Sequence, residues 1–279
     1  MGIKIVSDNC CDLDTELLKK HNICLTHLTV RFGDRVYQPG ELTNASFYEK
    51  MNTSPTLPYT SQPTVEEINQ VYTDALADGS EVIAIHMSSG LSGTYQGGVM
   101  VKNMLNNPRL HVFDSRKASV GLGLLVLEAA RMAERGETVA AILQRLQEMQ
   151  ARMQCIFVVG RLDCLIKGGR ISRAKGAIAE VLDIKPVLHM DEGGYIMLYD
   201  KARGFKGAQQ KLISIMEKNY AKSSSPTVGI CHSAVPNIAD SLKKSIQKNL
   251  DLQDIIIGEI GPIIGSHVGM GTFSVFFEK

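Results

Sequence analysis

Net charge is the first thing the sequence lacks: 30 Lys and Arg stand against 29 Asp and Glu in 279 residues, a formal charge of +1 at pH 7. No field of this kind neutralises a phosphate backbone, so a nucleic-acid partner is not expected. Long apolar runs are missing too. The opening MGIKIVSDN has one lysine and a short apolar stretch, which reads as a first strand rather than a signal peptide. No other window approaches the length of a membrane span. The six cysteines, Cys10, Cys11, Cys24, Cys155, Cys164 and Cys231, form no CxxC pair and no zinc-finger spacing with histidine. Reduced thiols and a cytoplasmic location are expected, with no metal. A phosphate loop is absent as well: the nearest lysine downstream of the glycine-rich SSGLSGT is Lys102.

What is present is a globular composition, 44% hydrophobic and 21% charged, in a chain long enough for two domains. Short β-branched runs alternate with helical patterns: Ile3 to Ser7 then Asp14 to His21, Glu81 to Met87 then Leu91 to Leu105, Leu110 to Phe113 then Ala118 to Arg135. That rhythm predicts parallel βαβ units. Thr64 and Glu67 predict a capping box opening a helix to about Leu76. A helical tract from Glu137 to Met153 leads into a strand at Cys155 to Val159, after which the pattern changes. IKPVLHM and YIMLYD, joined by Asp191-Glu-Gly-Gly194, predict a hairpin and hence antiparallel pairing. The expected architecture is therefore two α/β domains, residues 1–155 with a mainly parallel sheet and residues 156–279 with a mixed one.

Three polar, glycine-bearing segments interrupt the apolar pattern: TSQP at Thr60 to Pro63, SSGLSGT at Ser88 to Thr94, and GPIIGSHVGMG at Gly261 to Gly271. In the second, a strand feeds a turn that opens a helix, so unpaired N–H groups near Gly90 to Gly93 suit an anion. Read alone, Ser88, Ser89 and Ser92 are more simply helix caps, and His267 a packed histidine. A nucleophile elbow needs Gly-x-Ser-x-Gly, and Gly90-Leu-Ser92-Gly93 lacks the second spacer. Lys167, Arg170, Arg173 and Lys175 concentrate charge around a glycine pair, with Arg203 and Lys206 downstream, which reads equally as a solvated face or a docking surface.

Taken in order, IVSDNCCDL, TSQPT, HMSSGLSGTY, FDSRKASVGLG, LDCLIKGGRISRAKG, IKPVL and GPIIGSHVGMG resemble the DegV family of bacterial fatty-acid-binding proteins over essentially the whole chain. The resemblance implies one long-chain fatty acid buried between two α/β domains. By motif, its carboxylate falls to Thr60 and Ser92, with Ser61, Gly93, Ser266 and His267 beside them. The family also includes carrier subunits that present the acid to an ATP-dependent fatty-acid kinase subunit, for which Lys167, Arg170, Arg173 and Arg203 would form the docking face. The implied protein is non-catalytic and needs no cofactor; the alternative is an acyl hydrolase or phosphotransferase using Ser92 and His267. Against the family pattern, Asn9-Cys10-Cys11 stands where small hydroxyl residues are usual, and Met270, Thr272 and Phe273 follow the histidine. Both departures bear on which acyl chain is preferred.

Overall fold

The computed structural model describes residues 2–171, 183–220, 227–250, 252 and 254–279. Strands β1 (Ile3–Asp8), β2 (Cys24–Thr26), β6 (Glu81–His86) and β7 (Leu110–Asp114) form a parallel sheet in the order β2-β1-β6-β7. The central strand β6 is apolar and buried from Val82 to Ile85 because both faces of the sheet are covered there. Val6, Val82, Ala84 and Leu110 meet helices α3 (Val65–Leu76) and α4 (Thr94–Leu105) on one face, while Ile5, Ile83 and Ile85 point to the other. Thr64 caps α3 as the sequence predicts, its hydroxyl accepting from Glu67 N at 3.1 Å; the Glu67 carboxylate turns instead to His27 N at 2.8 Å.

A small antiparallel sheet that the sequence does not announce is built from β3 (Thr29–Phe32), β4 (Arg35–Tyr37) and β5 (Tyr59–Ser61), with β3 in the middle. Strands of three or four residues are too short to display a period of two. This sheet nonetheless sets the direction of the TSQP segment. Thr60, opposite Val30, is half-buried, whereas its neighbours Tyr59 and Ser61 are exposed, as strand alternation requires.

The second sheet is mixed and six-stranded, in the order β10 (Ile196–Arg203), β9 (Ile184–Met190), β8 (Met153–Val158), β13 (Phe273–Glu278), β11 (Thr227–His232), β12 (Asp254–Glu259). All its pairings are antiparallel except β11 with β12. The β9–β10 hairpin turns at the residues foreseen: Gly194 N donates to Asp191 O at 3.0 Å with Gly194 at φ +76°, a backbone angle that glycine adopts freely. The expected division at 155/156 lies inside β8, because α6 (Val139–Arg152) runs into that strand without a linker.

The two faces of this sheet differ in chemistry. Ile156, Val158, Val228, Ile230, Phe273, Val275 and Phe277 bury themselves against α8 (Gly204–Asn219) and α9 (Pro236–Asn249). The inward face carries Cys155, Phe157, Cys231, Ser274 and Phe276. Register aligns them in rows, Leu188–Phe157–Ser274–Cys231 and Cys155–Phe276–Gly229, so the Phe276 ring has small neighbours on both sides and Phe157 on one.

Between the sheets runs α5 (Val120–Glu134), touching β1 and β6 on one side and β11 and β12 on the other. Residues Val120 to Leu127 are buried without interruption, so the helix has no solvent face along that length. Its GLG sequence has a packing reason. A Cβ on Gly121 would lie 2.7 Å from the Phe276 ring, and one on Gly123 would lie 2.7 Å from the Cys11 carbonyl oxygen. The segment Gly261 to Gly271, rich in glycine and expected as a polar loop, instead folds mostly into helix α10 (Pro262–Val268), with Pro262 in its first turn and the Ser266 hydroxyl donating to Pro262 O at 2.7 Å. Among the described residues, no helix is long and apolar enough to cross a membrane.

Candidate functional site

A cavity is bounded by Ala118 and Ser119, which lead into α5, by the inward face of the mixed sheet and by α10. Leu28, Met87, Leu91, Phe157, Leu165, Met190, Ile196, Ile260, Ile263, Val268 and Phe276 make most of its wall. Thr60, Ser92, Arg170 and His267 also line it, and Thr60, Arg170 and His267 recur along its rim towards a smaller hollow. That hollow adds Leu57, Pro58, Tyr59, Lys167 and Ser266. The arrangement is an apolar chamber with a polar corner.

The corner assembles residues far apart in sequence. Thr60 Oγ1 and His267 Nε2 are 2.9 Å apart, joined across 207 positions because β5 and α10 are neighbours. Burial, helped by the Arg170 charge, pushes His267 down to about 4, so the ring is neutral at pH 7. Its Nδ1 has no hydrogen-bond partner and faces Gly168, where a Cβ would come within 2.6 Å. With the ring proton on Nε2, His267 donates to Thr60, and the Thr60 hydroxyl hydrogen is left to point into the cavity.

Ser92 sits at the end of the turn before α4. The N-cap is Gly93, which has no side chain to cap with; Ser92 Oγ, one position earlier, accepts from Thr94 N at 3.4 Å and lies 2.9 Å from Thr94 Oγ1, so the capping reading holds in part. The other two serines are structural ties. Ser88 Oγ donates to Gly194 O at 2.8 Å, clasping the hairpin, and Ser89 N donates to Asp114 Oδ1 at 3.1 Å. A Cβ on Gly93 would meet only the end of the exposed Gln62 side chain, which is free to move aside. The N–H groups at the start of α4 open beside Ser92, where the helix dipole favours an anion.

Arg170 is placed differently from its sequence neighbours. Its Nε donates to Leu91 O at 3.2 Å and one terminal nitrogen to Gly168 O at 2.6 Å, bringing a half-buried guanidinium to the cavity wall. Sequence reasoning had set it on the basic face with Lys167, Arg173 and Arg203. Lys167 is exposed at the hollow, Arg203 is exposed and 3.3 Å from Asp183, and Arg173 lies outside the described residues. Of the remaining candidates, Ser61 is exposed and Ser266 is buried with its hydroxyl turned to Pro262. The only sequence signal for an inward Arg170 is its place beside Gly168-Gly169, which lets the chain turn back after α7 (Leu162–Lys167).

Comparison with known proteins agrees over the full length. The family model described as "Uncharacterised protein, DegV family" matches residues 2–279. A DegV domain-containing protein of Caldanaerobacter subterraneus subsp. tengcongensis is 33% identical, covering 99% of both chains. Among solved structures, a fatty-acid-binding DegV family protein from Thermus thermophilus superimposes with a TM-score of 0.92 at 27% identity, covering 100% of both chains. DegV of Bacillus subtilis, a fatty acid binding protein, gives 0.87 at 28% identity, again over 100% of both chains.

Proposed function

The chain belongs to the DegV family, and from that premise we propose that its cavity holds one long-chain fatty acid. The observation that carries this reading is the chamber itself, apolar over most of its wall with Thr60, Ser92, His267 and Arg170 in one corner. A carboxylate placed there receives the Thr60 and Ser92 hydroxyls and the Gly93 N–H, and Arg170 supplies the compensating charge. Neutral His267 acts through Thr60, fixing which way that hydroxyl points. Roughly 14 buried methylenes at ~0.8 kcal/mol each give ~11 kcal/mol gross, against ~1.5 to 3 for each charge-assisted hydrogen bond. The tail accordingly supplies affinity and the corner supplies orientation.

The same geometry favours a carrier over a hydrolase. Ser92 Oγ pairs with Thr94 and His267 Nε2 with Thr60, while His267 Nδ1 meets no carboxylate that would orient it as a base. The polar corner also adjoins the outer hollow where Lys167 stands, which suits a carboxylate offered to an ATP-using kinase subunit. In this reading Lys167, Arg173 and Arg203 steer that partner, whereas Arg170 belongs to the pocket.

Native mass spectrometry of the purified chain is expected to show one bound long-chain fatty acid. Ligand-free protein that also fails to take up oleate or palmitate would overturn the proposal. Thr60→Ala combined with Ser92→Ala is expected to weaken binding by about 3 to 6 kcal/mol, since each lost charge-assisted hydrogen bond costs ~1.5 to 3 and the tail stays buried. A fatty alcohol that binds wild-type protein as tightly as the acid would contradict the carboxylate role.

A further inference from the structure

Beyond the head-group corner, the cavity wall carries a second polar locus on the inward face of the mixed sheet. Ser274 Oγ and Cys231 Sγ lie 2.7 Å apart, Cys231 Sγ and Ser119 Oγ 3.3 Å apart, and Ser119 Oγ is 2.5 Å from Asp12 Oδ2. Asp12 Oδ1 in turn accepts from Gly261 N at 2.9 Å. Ser119, Cys231 and Ser274 all line the cavity and are buried, at 4%, 1% and 2% exposure. On the opposite face of the same sheet the buried residues of β8, β11 and β13 are Val, Ile and Phe, with His232 at the end of β11 the one polar exception. Hydroxyls are thus not a general property of this sheet; they cluster where the ligand chamber is.

The backbone is held to make this contact. Ser119 adopts φ +54° and ψ −145°, and Asp12 φ +47°, both left of the usual range for residues with a Cβ. An ionised Asp12 only accepts, so the Ser119 hydroxyl donates to it. Ser119 Oγ also stands in donor geometry to Cys231 Sγ, and between Cys231 and Ser274 either atom can donate. Ser274 Oγ is the last group of this relay, with no protein partner beyond Cys231 among the described residues, so its free hydrogen-bonding capacity faces the chamber.

We propose that Ser274, at the end of the relay that runs from Asp12 through Ser119 and Cys231, hydrogen-bonds a hydroxyl group on the acyl chain, so that the chamber takes hydroxylated long-chain fatty acids. This deepens the fatty-acid reading and rests on it.

The test compares stearate with a series of stearates bearing one hydroxyl at successive carbons from mid-chain to the end. Competition binding is measured at about pH 8.5, because burial pushes the Asp12 carboxyl up to about 7 and the relay needs it ionised. For wild-type protein, at least one positional isomer is expected to bind within about threefold of stearate, and the others more than about 30-fold weaker, the cost of an unmatched buried hydroxyl. Ser274→Ala is expected to weaken the matched isomer about tenfold or more and stearate by less than about threefold. Cys231→Ala, which cuts the relay one step back, should act in the same direction and serves if the first variant does not fold. Uniformly weak binding of every isomer, or equal losses for stearate and the matched isomer in the variants, overturns the proposal. Failure of stearate itself to bind wild-type protein is a separate result, which removes the fatty-acid reading as well.

Discussion

Loading the delipidated chain with palmitate is expected to raise its unfolding midpoint by roughly 10 °C. A ligand that binds only the folded state stabilises it by about 4 kcal/mol at 1,000 times its Kd. For a chain of this size each kcal/mol is worth ~2 to 4 °C. The structural basis is the chamber within the main core, whose wall includes Leu165, Ile263 and Phe276. Left unfilled, these side chains lose packing partners on one side. Differential scanning calorimetry with and without palmitate gives the answer directly. A shift below about 2 °C at saturating ligand would show that the acid does not reach the core and would place it on the surface.

The second large effect is expected from Asp8→Ala, at about 3 to 5 kcal/mol of folding stability. Asp8 ends β1 with its side chain fully buried, and its carboxylate holds three donors: Cys10 N at 3.1 Å, Met87 N at 2.9 Å and His86 Nδ1 at 3.2 Å. Because His86 donates through Nδ1, its Nε2 accepts from the Tyr72 hydroxyl at 2.6 Å. Alanine strands three donors in a dry interior. Asp14→Ala is the fitting control, since Asp14 caps α1 (Thr15–Lys20) through Leu17 N in solvent and should cost only ~1 kcal/mol. Urea unfolding of the two variants decides between them. Equal midpoints would mean that the buried chain Asp8–His86–Tyr72 is far weaker than its geometry implies.

That chain also marks where sequence reading ran short. Residues Ile3 to Ser7 and Glu81 to Met87 announce strands by composition, yet nothing local in IVSDN or AIHMS says that Asp8 and His86 meet, since their contact depends on β1 and β6 lying side by side. The βαβ rhythm and the Asp191–Gly194 hairpin were legible because each is set by residues close in sequence. Helix α10 was hidden by its glycines, which are needed for tight packing: a Cβ on Gly265 would lie 2.7 Å from the Tyr48 hydroxyl oxygen. At the site, Thr60, Ser92 and His267 could be named from motifs and do share one chamber. Arg170 could not be aimed inward from sequence, because Leu91 O, its partner, lies 79 positions away.

Helix α5 has one more consequence, for motion. Two lobes joined by a loose linker can part like jaws to release what they hold. Here the helix between the lobes is buried from Val120 to Leu127 against both of them, so any such swing would bare its side chains to water along its length. The lobes are fixed to a common axle. Passage of a bound molecule in or out is left to small displacements at the rim, where Tyr59, Lys167 and Arg170 border the outer hollow. The rate of exchange is then governed by how often those few side chains step aside, and not by how readily the protein as a whole opens.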